Sequence, residues 1–230
     1  MSTTSLLFLS GAGLPEWIWD ATCAALPETS VVAPRPSRQD ADVRGYAEAA
    51  LEAAPEGPLT VVAHSAGGVI AAELTALAPE RIHGVLGVSA VIPTAGRSFA
   101  SSMPFPNRLL LPMILKLAGT RPPESSIRKT LAAGVDQAVV DRLIHDFTPE
   151  TRAYFTSAAS TEIVAPVRGY VTSNDDAELP IVLQKRYAAK LQPTFVRNLT
   201  GGHLPMLRDP HQLAKAIRDF QKVVNEQVHS

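Results

Sequence analysis

A chain of 230 residues, 46% of them hydrophobic and 19% charged, is long enough to bury one large core and has the composition of a globular domain. Its formal net charge of −1, with no run of Lys or Arg, supplies no electrostatic footprint for nucleic acid or acidic lipid, so a small uncharged partner fits better. The lone Cys23 excludes an intramolecular disulfide and a cysteine-based metal cluster and points to a reducing cytoplasm, while no stretch approaches the length of a membrane span or a secretory leader.

Short apolar runs alternate with helical patterns through the first 93 residues. Residues 5–11 read as a buried strand, and residues 15–26 as a helix opened by Pro15. A strand follows at 30–34, then a helix at 42–54 whose weak point is Gly45. Residues 59–65 are a strand, 66–78 a helix ended by Pro79, and 82–92 another strand. The strands are continuous Val/Ile/Leu runs instead of alternating ones, which calls for cover on both faces. The expectation is an α/β fold with a doubly wound, mostly parallel sheet.

Between residues 96 and 165 prolines cluster and no good strand appears; the periodic stretches at 108–117, 135–147 and 149–158 read as helices. Strand patterns resume at 166–174 and 194–200, with a helix at 179–191 between them and another from 210 to about 228. The chain therefore divides into a core, residues 1–95 and 166–230, and a helical insertion, residues 96–165.

Chemistry concentrates at the ends of strands. "AHSAG", residues 63–67, falls where a strand gives way to a helix, with small residues two places either side of Ser65. That is the context of a nucleophile elbow, in which strand and helix backbones approach too closely for bulk. A serine hydroxyl needs a base to take its proton. Of six histidines, His64 adjoins Ser65 along the chain and points elsewhere, which favours a structural role. His83, His145, His211 and His229 read as surface or packing residues. His203 differs, because "LTGGHLPML" puts it in a loop directly after the last strand with two glycines before it. A carboxylate must then hold the imidazole, and "SNDDAELP" offers Asp175 and Asp176 after the penultimate strand. The order Ser, Asp, His, each following its own strand, is the order of α/β-hydrolase triads.

With these residues in place, the chain resembles the α/β-hydrolases over nearly its whole length. Within them it is most similar to the small bacterial esterases related to plant methylesterases and hydroxynitrile lyases. The matching stretches are "SGAG" followed by "WIW", "AHSAGG", "YVTSNDDAELP", "GGHLPML" and the helical insertion. The resemblance implies that the backbone N–H groups of Ala12 and Ala66 form an oxyanion hole, and that the insertion is a lid. It also implies that the acid is Asp176, four residues before the helix-opening Pro180. Ser10 stands where the family usually has a histidine that buttresses this loop. Trp17 and Trp19 read as packing residues, and Cys23 has no basic neighbour to activate it.

The expected function is a cytoplasmic, cofactor-free serine hydrolase acting on a small, apolar carboxylic ester through Ser65, His203 and Asp176. It involves no metal, nucleic acid or membrane. The apolar insertion ("LLLPMILKLAG", "AVVDRLIHDF") sets the substrate's character. Two other readings are a hydroxynitrile-lyase-type lyase and a non-catalytic scaffold that binds a small molecule. Against the lyase, those enzymes carry a lysine after the catalytic histidine, where this chain has Leu204.

Overall fold

A computed structural model describes residues 4–228. Its six strands are β1 (Ser5–Leu9), β2 (Ser30–Val32), β3 (Leu59–His64), β4 (Ile82–Val88), β5 (Val167–Ser173) and β6 (Phe195–Leu199). All neighbours pair in parallel, in the order β2-β1-β3-β4-β5-β6. The helices are α1 (Asp20–Ala24), α2 (Val43–Ala53), α3 (Gly67–Leu77), α4 (Phe99–Ser102), α5 (Asn107–Ala118), α6 (Glu124–Ser126), α7 (Gln137–Asp146), α8 (Arg152–Thr156), α9 (Ile181–Leu191), α10 (Pro205–Arg208) and α11 (Pro210–Val228).

The unbroken apolar runs are explained by two cores, one on each face of the sheet. Leu7, Leu9, Val61 and Ala63 face a cluster that holds Ala47 of α2, Leu74 of α3 and Tyr187 of α9. Leu6, Phe8, Val62 and Leu86 face the other, with Ile18, Trp19 and the Leu213, Ile217 and Phe220 stripe of α11. Successive side chains of one strand thus enter opposite cores. After β2 the chain returns to the other side of β1, so strand order reverses between β1 and β3. The crevice beyond the carboxyl ends of these two strands is where open α/β sheets bind ligands. The register Leu9↔Ala63 brings the end of β1 beside the turn that carries Ser65.

Several boundaries differ from the sequence expectation, each for a local reason. The fourth strand stops at Val88 rather than running to 92, because Ser89 takes a left-handed φ of 41° and leads the chain out of the sheet. The helix expected at 15–26 opens as one 3₁₀ turn, Glu16–Trp19, and ends at Ala24. In α2 Gly45 is no weak point: it lies in the first turn, and its N–H is capped by the Asp42 carboxylate at 3.0 Å. Between β4 and β5 all regular structure is helical. Besides the three expected helices, it contains α4, α6 and a π-helical turn at Ile127–Leu131. His229 lies outside the described residues.

Candidate active site

The turn from β3 to α3 consists of Ser65 and Ala66 alone. Ser65 has φ 52°, a left-handed conformation that costs a non-glycine residue on the order of 1 kcal/mol. Surrounding bonds hold it there: Ser65 N–H donates to Val88 O (3.2 Å), and Ser65 O accepts from Gly68 N–H (3.2 Å) and Val91 N–H (2.9 Å). A side chain at Gly67 would put its Cβ 2.6 Å from Leu9 O, and one at Gly68 would lie 2.3 Å from Val91 O. The small residues of "AHSAGG" are therefore needed where α3 crosses the ends of its neighbours.

His203 follows β6 in a loop that Gly201 bends with φ 115°. Its ring is 1% exposed and bridges two groups. Nδ1 lies 2.7 Å from Asp176 Oδ2, and Nε2 lies 2.9 Å from Ser65 Oγ. An ionised carboxylate only accepts, so Nδ1–H is the donor to Asp176 and the bare Nε2 accepts from the Ser65 hydroxyl. Asp176 is 5% exposed and fully engaged. Its Oδ1 accepts from the N–H groups of Glu178 (2.9 Å) and Leu179 (2.7 Å), and its Oδ2 also accepts from Gln184 Nε2 (3.0 Å). Asp175 is exposed, and its carboxylate accepts from Gly201 N–H at 3.2 Å, as a loop cap.

His64 is buried under this arrangement, where Nε2–H donates to the carbonyl of His203 at 2.9 Å. Burial, then the nearby His203, pushes its pKa well below 6.5, so it is a neutral strut for the His203 backbone. His83 lies at the start of β4, His145 is exposed and bonded to Asp146, and His211 is exposed on α11. Cys23 is also disqualified as a nucleophile, since burial and Asp20 push its thiol up to about 11. Among the described residues, no group of three His, Cys, Asp or Glu side chains is arranged to hold a metal ion.

Ala12 and Ala66 flank Ser65 on the wall of a cavity of about 380 Å³. Among the described residues neither backbone N–H donates to a protein acceptor, so both remain available to a ligand oxygen. The Ala12 loop is clamped from several directions. Trp19 Nε1–H donates to Ser10 Oγ (2.9 Å), giving the indole a polar task beside its packing. Glu150, 7% exposed and contributed by the helical insertion, accepts from Gly13 N–H (2.9 Å), Arg35 Nε–H (3.0 Å) and the Tyr46 hydroxyl. Arg35 also donates to Leu14 O (3.0 Å), and Thr148 N–H to Gly13 O (3.1 Å). Gly13, with φ 76°, leaves no room for a side chain: its Cβ would fall 1.9 Å from the Phe147 ring. Sequence reasoning passed over Glu150, Arg35, Tyr46 and Gln184, since no local pattern marks an isolated polar residue that folding will bury.

The rest of the cavity is apolar, with Phe99, Leu111, Leu115, Phe147 and Phe155 among its lining. Arg121 lies on the wall, but its guanidinium is spent on the carbonyls of Ile144 and Phe147, both at 2.6 Å. Glu178 adds a carboxylate at the rim, bonded to the Thr130 hydroxyl. Trp17 packs against the second core, as expected, and also donates Nε1–H to Asp146 (2.9 Å) beneath the Arg142 guanidinium, away from this wall.

Comparison with known proteins agrees with this architecture. An extracellular α/β-hydrolase from a Paenibacillus species superposes with TM-score 0.82 at 15% identity, over 94% of this chain and 98% of that one. A pyrethroid hydrolase from Sphingobium faniae gives 0.71 at 21% (98% and 100% covered), and a polyneuridine aldehyde esterase variant 0.76 at 16% (95% and 99%). At these identities the likeness is one of fold. A search of the curated proteins finds no match. The profile of the alpha/beta hydrolase family matches residues 6–216, and the chain belongs to that family.

Proposed function

We propose that the protein is a serine hydrolase that cleaves small, apolar carboxylic esters through an acyl-enzyme. The observation that carries this reading is the Asp176–His203–Ser65 chain of hydrogen bonds, which opens beside two unengaged amides into an apolar cavity. Ser65 Oγ attacks the ester carbonyl as His203 Nε2 takes its proton. Asp176 holds the ring in the required tautomer and stabilises the imidazolium. The carbonyl oxygen becomes an oxyanion that the N–H groups of Ala12 and Ala66 receive. His203 returns the proton to the departing alkoxide, which leaves as the alcohol. Water, deprotonated by His203, then splits the acyl-enzyme into carboxylic acid and free Ser65.

The helical insertion acts as the lid and determines the substrate's character. With Arg121 engaged by carbonyls and Glu178 at the rim, the cavity offers no free counter-ion to an anionic substrate. A buried Leu204 follows His203, so a cation able to bear cyanide is missing at that place, which favours hydrolysis over the lyase reaction. The test is a panel of esters of graded acyl size alongside anionic analogues. Neutral apolar esters should have the highest kcat/KM, and a marked preference for anionic or phosphorylated esters would refute the assignment of substrate class.

A further inference from the structure

Helix α5 turns an apolar face to solvent as well as to the protein. Leu115 is its buried side chain, and with Leu111 and Ala118 it lines the cavity over Ser65. On the other side Leu109 (64% exposed), Leu110, Met113, Ile114 and Leu117 (80%) all face outward, as does Phe105 (69%) just before the helix. At 3.6 residues per turn the five helical side chains span about 140° of arc, directed away from Leu115. A surface helix ordinarily puts charge there, and a contiguous exposed apolar patch marks an interaction site.

The surrounding charge identifies the kind of partner. The chain-wide value of −1 averages over an uneven distribution: residues 97–123 contain Arg97, Arg108, Lys116 and Arg121 but no Asp or Glu. Arg108 and Lys116 lie on α5 itself, and both are exposed. A second copy fits this face poorly. In a twofold contact the patch meets itself, which sets Arg108 and Lys116 against their own equivalents with no carboxylate in the segment between them. An anionic headgroup layer over acyl chains matches both features, because long cationic side chains reach phosphates while the apolar ones enter the acyl boundary.

We propose that the outer face of α5 docks on an anionic lipid surface, with Leu109, Met113 and Leu117 inserted and Arg108 and Lys116 at the headgroups. Ile114 belongs both to this face and to the cavity wall, so the docked surface is continuous with the cavity mouth. An ester dissolved in the lipid then reaches Ser65 without crossing bulk water; that consequence rests on the proposed hydrolase reading, whereas docking does not.

Vesicle sedimentation tests the docking. Wild-type protein should pellet with phosphatidylcholine vesicles containing phosphatidylglycerol, far less with phosphatidylcholine alone, and less in high salt. The double variant Leu109→Gln/Leu117→Gln changes exposed side chains outside the cavity. It should lose most of the binding while keeping its urea midpoint and its turnover of a dissolved ester. Arg108→Gln and Lys116→Gln should each weaken binding about fivefold. The proposal is overturned if wild type does not pellet with the anionic vesicles, or if the double variant pellets equally. It is also overturned if wild type is a dimer that the double variant makes monomeric, which would assign the face to a second copy.

Discussion

Replacing Asp176 by Asn tests the acid's role without emptying the site. The substituted side chain keeps one carbonyl oxygen, which can still accept from the N–H groups of Glu178 and Leu179, now at 2.9 and 2.7 Å from Oδ1. Its amide nitrogen must then occupy the place of Oδ2, facing His203 Nδ1 and Gln184 Nε2. An amide N–H₂ can only donate, so Nδ1 has to accept and the ring proton moves to Nε2. A protonated Nε2 cannot take the Ser65 proton. Loss of the correct tautomer costs about 10⁴ in kcat in a serine triad. The reversed amide would set N–H₂ against two backbone N–H groups, which is worse. Asp175→Asn is the control, because Asp175 is exposed and an amide oxygen still caps Gly201 N–H. Both variants should be assayed for kcat on one neutral ester at one pH, with urea midpoints to show that the fold persists. Asp176→Asn should be nearly inactive and Asp175→Asn near wild type. The reverse ranking would transfer the acid to Asp175, and two active variants would place the acid on another strand.

Glu150→Gln removes the charge that clamps Gly13, Arg35 and Tyr46, and should let the Ala12 N–H drift. We expect kcat to fall about tenfold, short of the 10²–10³ for losing a donor outright, with KM little changed. A boronic acid that mimics the tetrahedral state should weaken in proportion, whereas unchanged boronate affinity would show that Glu150 serves stability alone. His64 has a folded pKa depressed below its unfolded value, so the unfolded chain binds the extra proton. Its contribution is complete above about pH 6.5 and is lost progressively as pH falls from there toward the folded pKa. Urea midpoints between about pH 7 and pH 5 should therefore drop more steeply for wild type than for His64→Gln, and parallel slopes would contradict a buried neutral His64.

The parts of this architecture governed by local rules were legible in the sequence. Val61, Val62 and Ala63 announce a strand buried on both faces, and Gly67 and Gly68 announce that a helix crosses it closely, so the turn at Ser65 is readable from its immediate neighbours. His203 is readable for a similar reason, since Gly201 and Gly202 bend the loop where the last strand ends. Asp175 and Asp176 are separable in sequence only by the spacing to Pro180 that the family resemblance implies. Both occupy one loop, and what distinguishes them is that Asp176 lies under Gln184 of α9 while Asp175 faces water. Glu150 was illegible because its partners Gly13, Arg35 and Tyr46 lie more than a hundred residues away along the chain. The outer face of α5 escaped because a helix with apolar residues on most of its circumference looks the same in sequence whether one side or both are covered.

Whether Ser65 is a nucleophile activated by His203 is decided by reaction with a fluorophosphonate followed by peptide mass spectrometry. A single phosphonyl adduct should form on the peptide containing Ser65, with loss of fluoride. It should be abolished in Ser65→Ala and slowed by orders of magnitude in His203→Ala. No adduct on wild-type protein, an adduct on another residue, or equal labelling of His203→Ala would contradict that role.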